Sequence, residues 1–390
     1  MLNIAIEVGR GLAALWVFTF HLTAPIGNAI PFLRDVAAAG HFGVPVFFVI
    51  SGYCMMAVAM KAVQRGESSG TFLFWRFLRI YPPFWFSMLA VVLVPVTLGV
   101  LGALKTGMFE VPPARWMQLS LADWVRYFTL LQVFTAPAVG MDFAFSALNV
   151  VYWTLAIEFQ FYLVVWLGLL LRPHFDRMIV VVTVLGLIAA AFPNAYQTGL
   201  FLPFWPMFAL GLALHRLLAS GWTPQRLFGE RAFLFASGLL LVVAAADIAF
   251  VSSEAGLRFH RSWPMLSNLI QAAVAAVGLW VASPLDQYLA GARRSAVVRA
   301  VLWPFLLLGT ISYSLYLLHA QLYQIPFAFV RQVVPGDHPL SPLLTILGTI
   351  VLAYLFCLAC ERPFLRRYWE DRARKRRPAT PAVGPGVSPR

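Results

Sequence analysis

The sequence predicts an all-α fold, a polytopic membrane helix bundle of about ten transmembrane helices with both termini cytoplasmic. Three observations predict it. Of 390 residues, 61% are hydrophobic and only 12% charged, and the mean hydropathy is +0.78; a soluble chain of this size needs far more polar surface. Apolar stretches close to the roughly 20 residues that cross a bilayer recur along the chain. Lysine and arginine segregate to alternate loops, which fixes orientation. Aromatic residues reach 15%, with 13 Trp and 33 Phe, a composition suited to lipid contact and interfacial belts.

The spans follow in order. Residues 2–24 form the first. This segment lacks a basic leader, carries Glu7 and Arg10 and has no convincing cleavage site, so it reads as a retained span rather than a signal peptide. Residues 42–60 and 82–103 form the second and third. In the loop 104–146, the apolar stretch 121–139 carries Asp123, Arg126 and Pro137, and reads as a partly inserted or surface helix. Residues 147–171, 177–193, 198–219, 231–251, 263–283, 302–325 and 341–362 complete the ten. In the seventh, Asp247 is a lone acid, read as a structural hydrogen bonder.

Ten spans put both termini on one side. The loops on that side, with the C-terminal tail, hold 21 Lys and Arg; the opposite loops hold 7, and Arg10 lies within a span. That side is therefore cytoplasmic, which also accounts for the net charge of +13 without a nucleic-acid partner. The chain divides into a transmembrane unit, residues 1–365, and a tail, 366–390, that is basic and then Pro/Gly-rich and reads as largely disordered. Its RARKRR run (372–377) suits anionic lipid headgroups. Cys54, Cys357 and Cys360 all lie in apolar segments, which excludes a disulfide scaffold. The CxxC of the last two reads as helix packing. No zinc-ligand cluster, glycine-rich nucleotide loop or GxSxG elbow is present, so no metal site is expected.

Ionisable residues at membrane depth face the bundle interior and mark function more often than chance. In VGRGLAALWVFTFHL (8–22), Arg10 and His21 are 11 residues apart; that is close to three helical turns, so they share a face about 16 Å apart along the axis. A salt bridge for Arg10 and a packing role for His21 are the plainer readings. Glu158, in WTLAIEFQFYL (153–163), falls near the midplane; His319, in SYSLYLLH (312–319), falls in the outer half. Arg76 and Arg79, in FWRFLRIYPP (74–83), fall at the cytoplasmic mouth of the third span, and Glu361 at the cytoplasmic end of the tenth. Guanidinium groups at one mouth match a phosphorylated head bidentately, and a histidine further in is a proton acceptor for a hydroxyl nucleophile. Acyl-coenzyme A has the matching shape, a phosphorylated head on a thin arm. His41 opens the second span at the outer surface. Tyr152, Trp153, Phe159 and Tyr162 read as packing or as walls of an acceptor pocket.

At these residues the chain resembles the acyltransferase-3 family of bacterial membrane proteins. The stretches RGLAALWVFTFH, GHFGVPVFFVISGY (40–53), RFLRIYP (76–82), WTLAIEFQFYL, SYSLYLLH and ERPF (361–364) have counterparts there, in the same order. The resemblance implies O-acyl transfer, often of acetyl, onto saccharide hydroxyls. It implies His21, Arg10 and Glu158 as the catalytic groups, with His21 a base or acyl-transfer centre. Arg10, Arg76 and Arg79 would hold coenzyme A, and His319, Tyr313, Trp153 and Ser51 would meet the acceptor; for Ser51, close packing near a helix kink is an equal reading. Many members carry an aspartate where this chain has Pro45, which would also kink the second span. Many also fuse an extracytoplasmic esterase-like domain, whereas this chain stops soon after the tenth span.

The expected function is an integral O-acyltransferase of the bacterial inner membrane. It would move an acetyl group from cytoplasmic acyl-CoA, a co-substrate rather than a tightly bound cofactor, to a cell-surface or lipid-linked saccharide such as O-antigen or exopolysaccharide. Acylation of a glycosylated small molecule, or proton-coupled transport without acyl chemistry, are the alternatives.

Overall fold

A computed structural model describes residues 4–134, 146–192, 195–284, 286, 295–366 and 369–370. The described residues contain helices and no strands. The main helices are α1 (Ile4–His21), α2 (Gly43–Gln64), α3 (Ser69–Thr106), α4 (Leu121–Phe128), α5 (Tyr152–Leu170) and α6 (Phe175–Ala190). They continue with α7 (Trp205–Ala219), α8 (Pro224–Val251), α9 (Glu254–Ser262), α10 (Pro264–Ala282), α11 (Ala296–Leu322) and α12 (Leu340–Phe356). Among the described residues, nine helical segments are long and apolar enough to cross a membrane. The seventh predicted span is not among the nine: its residues belong to α8, which meets α9 at a bend of 78°. Counted as one broken span, the pair brings the number to ten.

Three other expectations change. The third span starts well before residue 82: α3 runs unbroken through Arg76 and Arg79 and contains Pro82, Pro83 and Pro95. Both arginines are therefore fixed on a helix instead of sitting in a mouth loop. Pro45 does not kink the second span. It occupies the first turn of α2, where its missing N–H has no helical acceptor in any case. Within 121–139, the helix ends at Phe128; Ser120 caps it in a reciprocal pair with Asp123, and residues 135–139 lie outside the described residues. So do the basic run 372–377 and the rest of the tail beyond 370.

Packing explains which faces turn inward. Long apolar side chains on α6 and α8, such as Val180, Val184, Leu241 and Val242, are exposed, as suits lipid-facing surface. The inner helices instead meet at glycines. A Cβ on Gly11 of α1 would lie 2.7 Å from the Gly309 backbone of α11, and one on Gly309 would collide with the Glu7 carbonyl. Gly52 of α2 and Gly211 of α7 interlock in the same way, each facing a carbonyl of the other helix. Without a hydrophobic drive between helices in lipid, such backbone contact supplies the packing that sets crossing and rotation.

Candidate functional site

Rotation set by these contacts turns one polar stripe from each of five helices toward a common space. On α5, Thr154, Glu158 and Tyr162 recur every fourth residue and so share a face. On α11, Ser312 and Tyr316 do the same. Arg10 of α1, Ser51 of α2 and Arg76 and Arg79 of α3 complete the set. Together these stripes line a cavity of about 150 Å3 that also includes Tyr313 and Cys54.

Inside it, hydrogen bonding separates the charges into two kinds. Glu158 accepts hydrogen bonds from Ser51 Oγ at 2.6 Å and from the Tyr162 hydroxyl at 2.5 Å. Arg79 pairs with Glu361, which is 1% exposed. Ser314 Oγ donates to the second oxygen of the same carboxylate, and the guanidinium lies 4.8 Å from the centre of the Tyr313 ring. The Tyr313 hydroxyl in turn donates to the Ile80 carbonyl at 3.0 Å, tying α11 to α3 beside the Pro82–Pro83 pair. Arg76 differs: its Nε is buried without a hydrogen-bond partner among the described residues, and its guanidinium stands 5.9 Å from the Tyr162 ring centre. Arg10 is only loosely held, 3.7 Å from Glu7. Glu361 reaches Arg79 because α12 ends in a π-helical turn, Cys357–Glu361, which displaces the chain by an extra residue.

His21 and His319 lie at the far end of α1 and α11 from this charge cluster. Their ring centres are 5.0 Å apart. Neither lines the cavity; Tyr316 does, and its ring centre is 5.5 Å from that of His319. Tyr316 is held by a 2.6 Å hydrogen bond between its hydroxyl and Thr154 and by an edge contact with Phe47 at 5.4 Å. One tyrosine thus forms a wall shared by the arginine cavity and the histidine pair.

A family model described as an acyltransferase domain (Acyl_transf_3) matches residues 3–362. The chain belongs to this acyltransferase family. It is an acyltransferase of multi-pass membrane architecture. No curated protein and no solved structure matches the chain.

Of the residues singled out in the sequence, the acyltransferase gathers Arg10, Ser51, Arg76, Arg79, Glu158 and Tyr313 around one cavity. It sets His21 and His319 together behind Tyr316. Trp153 is on neither surface and packs on Phe204 with ring centres 5.4 Å apart. His41 lies 4.6 Å from His260, ring to ring, with Nδ1 bonded to the Ala38 carbonyl at 3.0 Å. Asp247 accepts a hydrogen bond from Gln271 at 2.8 Å, joining α8 to α10. Among the polar cavity residues, Thr154, Ser312 and Tyr316 were not singled out in the sequence. Tyr162, read there as packing or a pocket wall, is a donor to Glu158, a role its i, i+4 spacing signals. Tyr316 is the shared wall, and it lies three residues before His319 on nearly the same face.

Proposed function

We propose that this acyltransferase moves an acetyl group from acetyl-CoA, presented at the arginine cavity from the cytoplasm, to a hydroxyl of a lipid-linked or cell-surface saccharide at a bacterial inner membrane. The observation that carries the reading is the shared wall. A cavity bearing three guanidinium groups on one side of Tyr316 backs onto two imidazoles on the other. Arg76 and Arg10, having spare donors, suit the anionic part of the carrier, since guanidinium matches phosphate in geometry and charge.

His21 takes the proton of the acceptor hydroxyl as its oxygen attacks the thioester carbonyl carbon. Collapse of the tetrahedral intermediate breaks the carbon–sulfur bond. The sulfur leaves with the proton returned by His21, giving the ester and free coenzyme A. A positioned base of this kind contributes about 10^2- to 10^4-fold in rate.

The test is transfer of label from radioactive acetyl-CoA to the saccharide fraction of membranes containing the full-length protein. Wild type transfers label, and His21→Ala lowers the rate by at least about 10^2-fold while the KM for acetyl-CoA stays near wild type. Unchanged transfer by His21→Ala removes His21 from the chemistry.

A further inference from the structure

His319 is the most completely enclosed imidazole of the site, with 0% of its surface exposed. Its Nδ1 lies 3.1 Å from the Leu315 carbonyl oxygen one turn back on the helix. A carbonyl only accepts, so Nδ1 carries the hydrogen and donates it. The neutral ring then presents Nε2 as a bare lone pair. That nitrogen is buried and has no hydrogen-bond partner among the described residues. A buried acceptor without a partner is costly, and a catalytic role is one of the reasons a native site keeps one.

The surroundings restrict that partner. Of its aromatic neighbours, Phe18 at 5.7 Å has no polar atom, and Tyr316 at 5.5 Å has its hydroxyl engaged by Thr154. The third, His21, at 5.0 Å between ring centres, carries ring nitrogens that can donate. Two imidazoles joined by a nitrogen–nitrogen hydrogen bond of about 2.9 Å have centres about 5 Å apart, so no backbone movement is required. His21 is the last residue of α1 and half-buried; rotation of its side chain brings an N–H onto Nε2 of His319.

We propose that His319 is a positioning residue for His21: its bare Nε2 accepts a hydrogen bond from one ring nitrogen of His21, which leaves the other ring nitrogen unprotonated and aimed at the acceptor hydroxyl. The backbone fixes the His319 tautomer, and His319 fixes that of His21. This inference rests on His21 acting as the base, and assigns His319 to the base rather than to the saccharide. Orientation of a catalytic histidine through its second nitrogen is a general device, because the hydrogen bond made by one nitrogen decides the protonation of the other.

Labelled acetyl-CoA and membranes with the full-length chain test it through a pair of near-isosteric variants. His319→Gln keeps a polar atom near the Nε2 position; His319→Asn keeps one only near Nδ1. Expected is a kcat at least 30-fold lower for His319→Asn at unchanged KM for acetyl-CoA, with His319→Gln recovering to within about tenfold of wild type. Asparagine at the wild-type kcat, or glutamine no better than asparagine, overturns the inference. A wild type that transfers no label sinks the acetyl-transfer reading, whereas an inactive His21→Ala beside a fully active His319→Asn sinks only the role of His319. Nitrogen-15 spectra of histidine-labelled wild type, with the His319 signals assigned by their loss in His319→Gln, give a check that needs no active variant. A hydrogen on Nδ1 and none on Nε2 supports the inference, and the reverse tautomer overturns it.

Discussion

The arginine end and the histidine end of the site are built on opposite principles. At the arginine end both carboxylates accept hydrogen bonds from neighbouring side chains: Glu158 through one oxygen from Ser51 and Tyr162, Glu361 through both oxygens from Arg79 and Ser314. At the histidine end, a buried ring nitrogen faces apolar neighbours and another imidazole with no bond made. A charge in low dielectric is costly unless paired, so these two carboxylates hold their donors before any ligand arrives. A neutral imidazole costs much less to leave open, and an open lone pair is what proton transfer uses. The two arginines of α3 repeat the contrast on a smaller scale, since Arg79 is committed to Glu361 while Arg76 keeps an unmatched donor.

The largest effect expected from breaking this arrangement is at Glu361. Replacing it with glutamine leaves Arg79 buried without its counter-charge. Loss of one partner of a buried pair costs about 3–5 kcal/mol, read as a large fall in the thermal midpoint of the detergent-solubilised protein. Adding Arg79→Met to Glu361→Gln recovers part of the loss; a double variant as unstable as the sum of the singles would show that the two do not act as a pair.

A middle-sized effect distinguishes the arginines. Arg76→Gln raises the KM for acetyl-CoA by about 10- to 100-fold, the range of a lost charge-assisted hydrogen bond, with little change in thermal midpoint. Arg79→Gln does the converse, lowering the midpoint first. Equal behaviour of the two variants in both measurements would erase the distinction between committed and open guanidinium groups.

The smallest effect lies outside the membrane spans, at a water-exposed version of the same pairing. Arg366 grips both oxygens of Glu67, at 2.8 and 2.6 Å, and holds its carboxyl below the ordinary value of 4.5. A lowered folded value means that the stabilisation is complete above about pH 4.5 and fades as pH falls through the lowered value. Glu67→Gln is therefore about 1 kcal/mol less stable than wild type at pH 7, and the melting curves converge in acid. A gap that stays constant into acid would place the effect elsewhere than in the ion pair.

Much of this was readable from the chain. Hydrophobic run length located nine of the ten spans, most of them to within a few residues and the third with its start well short of the true one, because membrane insertion is decided by local composition. The sequence pointed to Arg10, Arg76, Arg79 and Glu158 because ionisable residues in such segments turn inward; Ser51 and Tyr313 came from the family resemblance. The broken seventh span was not readable: the predicted run ends at 251, and α9, the polar stretch EAGLRFHRS that follows the bend, does not read as part of a span. Nor was the full length of α3, since Pro82 and Pro83 suggest a boundary that the helix ignores.

What the sequence alone determined is the class of molecule, a membrane bundle with basic and imidazole groups carried at different depths of the same helices. Only the tertiary structure decided which charges cancel and which groups remain available. Arg79 and Glu361 are 282 residues apart. They meet because glycine contacts fix the rotation of each inner helix and a π turn re-aims the end of the last. Local periodicity records which face of a helix is polar; what that face touches depends on the packing of the whole bundle.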